Sequence, residues 1–430
     1  MKSGRTAVLF VFLLLFSSLS LVVLSVNKGD LNTALTNEQS SMEVIVPLAQ
    51  ANVAGFQEGS IYTNETISSG ESHTCAILDN GSVSCWGNGD DGRLGNGGNS
   101  NSNTPTLIGS LGAGRTAVAL SSGLHHTCAI LDNGSVSCWG DATMYQIGNG
   151  ATGGHFPPTL TSTLGAGRTA VALSAGESHT CAILDNGLVS CWGQGGNGKL
   201  GNGGTSPQMY PTLTSSLGTD RSAIALSSGQ EHTCAILDNG FVSCWGDGAN
   251  GQLGNGGTSN QNTPTLTSSL GTGRTAVALS SGESHTCAIL DNGSVSCWGY
   301  GSYGQLGNGG TSQKNSPTLT SSLGAGRTAI ALSSGGSHTC VILDDDSVSC
   351  WGAGGAGQLG NGGIPQQNSP TLSSSLGAGR NAVALSSGAV HTCAILDNGS
   401  VSCWGSGING RLGNGGTSNQ NSPTLTSSLG

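Results

Sequence analysis

Charge is scarce in this chain. Charged residues make up 8% of its 430 positions and aromatics 4%, and 13 Lys and Arg stand against 23 Asp and Glu for a formal net charge of −10. Soluble domains ordinarily carry roughly 25% charged residues. No basic stripe is left to neutralise phosphates, so nucleic acid is not an expected partner. Cysteine is missing before Cys75, which removes a lipid-modified N-terminal cysteine. Catalytic signatures are missing as well. There is no Gly-x-Ser-x-Gly, no unrepeated histidine has a nucleophile beside it, and Gly-rich loops such as residues 92–98 lack the Lys-Ser/Thr of a phosphate-binding loop. Apolar residues at 35% are too many for a disordered tract. The 74 glycines have no three-residue period, which removes collagen.

At the N-terminus, Lys2 and Arg5 precede residues 7–26, twenty positions without a charge. A basic start followed by an apolar run is an export signature. Twenty residues are also enough to span a ~30 Å hydrocarbon core. Residues 1–26 are therefore read as a signal peptide or an N-terminal signal anchor, with membrane anchoring through 7–26 open. Residues 27–59 read as a linker, and the rest of the chain is expected to face an oxidising exterior, secreted or anchored to the outer face of the cell membrane.

A repeat fills residues 60–430. Cysteines fall in seven pairs: Cys75 and Cys85, Cys128 and Cys138, Cys181 and Cys191, Cys234 and Cys244, Cys287 and Cys297, Cys340 and Cys350, Cys393 and Cys403. Every step between equivalent cysteines is 53 residues. Trp86, Trp139, Trp192, Trp245, Trp298, Trp351 and Trp404 keep the same step. Seven units start at 60, 113, 166, 219, 272, 325 and 378. In the second unit, residues 117–121, 127–131, 135–139 and 159–161 read as strands, the middle two joined by an Asp132-Asn133-Gly134 turn. Four short strands per unit is the pattern of propeller blades. The expected fold is all-β, a seven-bladed β-propeller with four antiparallel strands per blade. No capping unit is visible, so a closed, monomeric ring is preferred over an open stack. Whether the ring closes by blade contact or by a shared strand is left open.

Centring the hairpin on the first unit's turn, Asp79-Asn80-Gly81, sets Cys75 opposite Cys85 and Ile77 opposite Val83. Thr74, Ala76, Ser84 and Trp86 then take the other face. On an exported chain the seven pairs read as disulfides, each contributing roughly 2–3 kcal/mol by chain entropy. The competing metal reading, His73-x-Cys75 with Cys85, has no recognised zinc spacing. Asn88-Gly89-Asp90-Asp91-Gly92 could take calcium, but one unit alone carries the acids. No metal or cofactor is assigned.

The repeated string, Gly70-x-x-His73-Thr74-Cys75-Ala76-Ile77, then Asp79-Asn80-Gly81-Ser82-Val83-Ser84-Cys85-Trp86-Gly87, then Gly92-Arg93-Leu94-Gly95, resembles the regulator of chromosome condensation repeat. The resemblance covers residues 60–430 and implies a seven-bladed propeller. Its nuclear members are exchange factors for the small GTPase Ran, working through inserted loops that these uniform units lack. Its photosensing members place tryptophan in Gly-Trp-Arg-His. Here the two residues before each repeated histidine run from Glu71-Ser72 to Ala389-Val390 and include no Trp. A third precedent, an exported propeller that holds a partner enzyme on one face, suits the chain best in general mode.

The seven histidines 73, 126, 179, 232, 285, 338 and 391 recur in every unit and read as structural, a hydrogen bond holding the start of a strand. The Trp-Gly pairs read as packing. Arg115, Arg168, Arg221, Arg274, Arg327 and Arg380 precede first strands and form a ring expected to pair with acidic turns, anion binding being the alternative. Asn64-Glu65-Thr66 and the Asn-Gly-Ser turns at 80, 133, 292 and 398 match N-glycosylation acceptors, although turn chemistry alone accounts for the last four. Unit six replaces Asp-Asn-Gly by Asp344-Asp345-Asp346, which puts a non-glycine at a left-handed turn position.

Specificity in near-identical units must come from where they differ. Unit two carries Met144-Tyr145 and His155-Phe156, unit three Met209-Tyr210 at the position taken as equivalent to His155-Phe156, and unit five Tyr300 and Tyr303. Large apolar groups in loops of Gly, Ser, Asn and Gln mark a candidate patch for a protein or glycan partner; drift in unconstrained loops is the competing account. The expected function is a non-catalytic extracellular interaction scaffold, not an enzyme. The alternative is a guanine-nucleotide exchange or signalling regulator of the family type.

Overall fold

The computed structural model describes residues 66–429, apart from the side chains of His155 and Phe156, and separately an antiparallel strand pair, Val8–Phe10 with Val23–Ser25. The chain divides into two compact units, 1–48 and 49–430. The signal or anchor of 1–26 (that strand pair apart) and the linker of 27–59 lie outside the described residues. Among the described residues, no helix is long and apolar enough to cross a membrane.

Seven four-stranded antiparallel sheets make up the described part of the second unit, each from four consecutive strands. In the second blade these are Ala117–Ser122, His126–Leu131, Val136–Asp141 and Gly154–Leu160. The hairpin between second and third strands closes as its sequence dictates. Gly134, at φ 75°, donates its N–H to Leu131 O, and Leu131 N–H bonds Ser135 O. Cys75 pairs with Cys85, Ile77 with Val83 and Thr74 with Trp86. The fourth strand starts earlier than expected, before Pro157 and Pro158 rather than after them. In blade 2 its register to the third strand skips between His155 and Thr159. A proline has no N–H for the ladder, so the strand bulges around the pair and resumes beyond. The other six blades carry a single proline in this outermost strand, such as Pro105, Pro211 and Pro264, which also blunts the edge against further pairing.

First strands line the axis. Ser69, Gly70 and Glu71 and their equivalents enclose the central cavity. Among the described residues there is no single core; seven apolar clusters lie one between each pair of neighbouring blades. Cys75, Val83, Cys85 and Leu94 of blade 1 pack on Ala117, Leu120, Ala129, Leu131 and Trp139 of blade 2. The seventh cluster, with Cys393, Val401 and Leu412 against Ile67, Ala76 and Trp86, closes the ring. Closure is by blade contact, with no strand exchanged.

Each blade carries the disulfide that its hairpin register leads one to expect. Cys75 is bonded to Cys85, Cys128 to Cys138, Cys181 to Cys191 and Cys234 to Cys244. Cys287 is bonded to Cys297, Cys340 to Cys350 and Cys393 to Cys403, and no cysteine is free. Their Cα atoms stand 4.0–4.1 Å apart, the narrow kind of antiparallel pair.

Three rings of hydrogen bonds join the blades. Nearest the axis, a serine hydroxyl of one first strand takes a backbone N–H of the next, as in Ser122 N to Ser68 Oγ at 2.8 Å, and Ser69 N to Ser386 Oγ at 2.8 Å closes the circle. Farther out, each repeated histidine meets the threonine of the following blade, from His73 Nε2 to Thr127 Oγ1 at 2.7 Å round to His391 Nε2 to Thr74 Oγ1 at 2.8 Å. The outermost ring runs from each Trp Nε1 to a backbone carbonyl of the preceding blade, such as Trp298 to Gln252 O at 2.9 Å. The glycine closing each Gly-x-Leu-Gly is what admits the indole. At Gly254, φ +66°, a Cβ would lie 2.7 Å from Trp298 Nε1.

Candidate functional site

Antiparallel strands send the Asp-Asn-Gly hairpins and the blade-to-blade connections to one face of the ring. The turns after the first strand and the loops after the third go to the other. The patch residues lie on this second, loop-bearing face. Five of its inter-blade junctions repeat one contact: a positive-φ glycine of one blade against an asparagine of the next, as Gly198 on Asn262 or Gly251 on Asn315. At the junction of blades 2 and 3 those two positions are Tyr145 and Met209, and Tyr145 holds φ 65° where the others have glycine. Beside them, the ring of Tyr210 lies across Gly150, where a Cβ would come within 2.6–2.8 Å of it. Met144, Met209 and Tyr210 are 41%, 45% and 51% exposed. The structure thus brings Met144, Tyr145, Met209 and Tyr210 to one junction. Tyr300 and Tyr303 form their own edge-on pair in blade 5, centroids 6.1 Å apart. The backbone of His155 and Phe156 lies in the outer strand of blade 2. There the register corrects the sequence alignment: His155 and Gln208 sit opposite the equivalent Gly140 and Gly193, so Met209 corresponds to Phe156, not to His155.

The central mouth on the same face escaped the sequence reading. Glu71, Leu124, Glu177, Gln230, Glu283, Gly336 and Ala389 surround it, and three buried or half-buried cations bond to its rim residues or their neighbours. Lys199 is fully buried, its ammonium paired with Glu231 and donating to Gln194 Oε1 at 2.5 Å. Arg411 donates to Glu71 O at 3.2 Å, and Arg93 pairs with Asp91 at 3.1 Å. Burial, together with the neighbouring Glu231, raises the Glu177 carboxyl above the usual carboxylate range; burial and Glu71 do the same to Glu283. The signal was present in the x of Gly-x-Leu-Gly (Tyr145-Gln146-Ile147-Gly148 in blade 2), which reads Arg93, Gln146, Lys199, Gln252, Gln305, Gln358 and Arg411. Its meaning depends on the next blade. Asp91 being held by Arg93, and Asp90 by the Asn88 amide at 3.2 Å, the calcium-like segment is internally satisfied. Among the described residues no three His, Cys, Asp or Glu gather as a metal set.

On the hairpin face, the six repeated arginines pair with turn aspartates, from Arg115–Asp132 at 3.3 Å to Arg380–Asp397 at 3.2 Å. These pairs are about 40% exposed on the arginine side, so they hold loops in place and contribute little energy. The histidines are wholly buried and bind across blades, not within their own strand. In six junctions the threonine hydroxyl donates to a backbone carbonyl, as Thr180 does to Gln146 O at 2.9 Å, and so accepts from the histidine Nε2–H. Burial drives the imidazole pKa down to about 3 in His126, His232 and His285 and to about 4 in His338.

A closed ring of seven such blades, joined by His–Thr and Trp–carbonyl contacts, defines a β-propeller of the repeat-built kind. Residues 156–429 match the RCC1-like domain, and 65–93, 80–130 and 117–146 match regulator of chromosome condensation repeats. The chain belongs to the RCC1-like family. It is 31% identical over 364 residues to the ultraviolet-B receptor UVR8 of Arabidopsis thaliana, covering 84% of this chain and 81% of that protein. It is 32% identical over 327 residues to the E3 ubiquitin-protein ligase HERC2 of Homo sapiens, 76% of this chain but 7% of that protein. Yeast RCC1 (Prp20), solved bound to Kap60, has the same fold, with a TM-score of 0.71 at 20% identity over 88% of this chain and 90% of that one.

Proposed function

We propose that the chain is an exported, non-catalytic interaction scaffold that holds a partner on its loop-bearing face, at the junction of blades 2 and 3. The observation that carries this reading is the closure of every cysteine into a buried intra-blade disulfide, an arrangement that persists in oxidising compartments and is rare in reducing ones. The patch supports the binding half. Tyr145 replaces a glycine at a positive-φ position and Met209 replaces the facing asparagine, so both sides of one contact have changed together. Exposed Tyr and Met are the kind of side chain that binding hot spots use. All seven tryptophans are buried with their indoles bonded to carbonyls, so a light-sensing role like that named for the Arabidopsis relative finds no matching residue at the mouth. The repeated histidines are consumed by the junctions, which speaks against catalysis there.

Intact mass under non-reducing conditions tests the redox half. Protein from its native source is expected fourteen hydrogens lighter than the thiol form. Fourteen free thiols in an intracellular chain would overturn the scaffold reading in favour of an exchange-type regulator. For the patch, the quadruple alanine variant at Met144, Tyr145, Met209 and Tyr210 is expected to lose partners recovered from the native surface or medium. Unchanged recovery would remove the patch.

A further inference from the structure

We infer that the hairpin face is N-glycosylated, on Asn80, Asn133, Asn292 and Asn398, and that the glycans leave the opposite face as the binding one. The inference rests on the export reading above. Each of these asparagines sits exposed at the tip of the second hairpin of blades 1, 2, 5 and 7, in an Asn-Gly-Ser sequence. The carboxamide is held the same way in all four. Its Oδ1 accepts the N–H of the serine two residues on, at 2.9–3.2 Å, and the serine hydroxyl at 2.6–2.7 Å. With the oxygen engaged on the protein side, the Nδ2 amide is the end left for solvent, and it is the end that carries a glycan.

Turn chemistry alone does not require this serine. Blades 3 and 4 build the same turn with Leu188 and Phe241 in its place, and Asn186 and Asn239 still accept the backbone N–H at 3.2 and 3.1 Å. The hydroxyl is therefore dispensable for the hairpin. It is also what distinguishes an acceptor sequence from a plain turn. The transfer needs a sugar donor activated as a lipid-linked pyrophosphate. A bond forms between Asn Nδ2 and the sugar C1, the C1–O bond breaks with its electron pair leaving on the lipid pyrophosphate, and the proton lost by Nδ2 passes to water. Nothing is oxidised or reduced.

The placement has a consequence for binding. The four tips lie on the face opposite Met144, Tyr145, Met209 and Tyr210. A hydrated glycan on four of seven blades shields that face and keeps it soluble, so a partner is directed to the loop side. Blades 3, 4 and 6 stay bare on the hairpin face.

The full-length chain purified from the exterior of its native source tests this directly. Intact mass and peptide mapping are expected to show hexose-containing mass on the four asparagines, removed stepwise by Ser82→Ala, Ser135→Ala, Ser294→Ala and Ser400→Ala. These variants keep the turn asparagine, and the leucine and phenylalanine turns show that the fold accepts loss of the hydroxyl. Leu188→Ser and Phe241→Ser should each add one further glycan. Exported, disulfide-closed protein with bare asparagines would overturn the glycan inference and leave the export reading standing. A chain with free thiols inside the cell would overturn both.

Discussion

At the scale of single residues, blade 6 shows how one substitution is answered by another. In five junctions the hairpin glycine lies so close to the next blade that an added Cβ would stand 2.4–2.5 Å from the facing Thr or Ser Cβ, as at Gly81 over Thr116. Asp346 has that Cβ, at φ 62°. The facing residue is Asn381 instead of Thr or Ser, its amide donates to Asp346 Oδ2 at 3.1 Å, and the backbone bond from Ala382 N to Asp346 O is 3.3 Å against 2.8–2.9 Å elsewhere. The junction has opened to admit the side chain. Asp346→Gly should stabilise by about 1 kcal/mol through relief of the left-handed strain, less what the exposed Asn381 bond contributes. Asn381→Thr with Asp346 retained should cost about 1–3 kcal/mol by overpacking, and the double variant should recover the loss. Urea melts of the four forms check this. An Asn381→Thr single variant as stable as the parent would show that the two positions are not in steric conflict. The strain was legible in the Asp-Asp-Asp string, whereas the compensating Asn381, 35 residues on, was not.

At the scale of the strand and loop, the sequence was most readable where partners lie within one hairpin. The Cys–Cys register, the turn glycine and the first three strands follow from alternation and turn chemistry. The repeats hid whatever crosses from one unit to the next. Histidine looked like a brace for its own strand because its partner threonine lies 54 residues away. Tryptophan looked as if it packed on the glycine next to it in sequence, yet its ring lies on the glycine of the preceding blade's Gly-x-Leu-Gly. The fourth strand was misplaced because its bulge around proline has no sequence period. These contacts make a specific demand on Gly254. Gly254→Ala meets both the positive φ and the Trp298 ring, and should cost about 2–4 kcal/mol. Gly97→Ala, with φ 89° and nothing within 4 Å of its Cβ position, should cost only the strain, about 1 kcal/mol. Chemical denaturation of the two variants compares them. Equal losses would mean that the indole is not tightly seated against the glycine.

At the scale of the whole ring, the histidine belt ties stability to pH. Each imidazole is fully buried, binds the next blade's threonine through Nε2, as the donor in the six junctions where that hydroxyl is given to a carbonyl, and has no hydrogen-bond partner at Nδ1. Protonation would place a cation and an unmatched donor in the junction. The folded pKa is about 3 to 4 in His126, His232, His285 and His338 and is pushed well down by burial in His73, His179 and His391, all below the ~6.5 of an unfolded histidine. The unfolded chain therefore takes up protons first as pH falls. Stability is intact above about pH 6.5 and is lost progressively as pH drops towards the folded values. Each histidine contributes a slope of up to about 1.4 kcal/mol per pH unit, and all seven act in the same direction because the belt is sevenfold. Glu177 and Glu283, with folded pKa values raised, act in the opposite sense, but they are two against seven and only partly buried. With the disulfides closed, the weak links under acid are the junctions between blades, not the hairpins within them. The ring should hold a flat urea midpoint from pH 8 to pH 7 and lose it steeply between pH 6 and pH 4. Proton uptake on unfolding at pH 5 should exceed what any one or two groups can supply. An uptake of one proton or fewer at pH 5 would mean that the imidazoles are not held neutral, and the picture of blades locked by a buried histidine belt would fail with it.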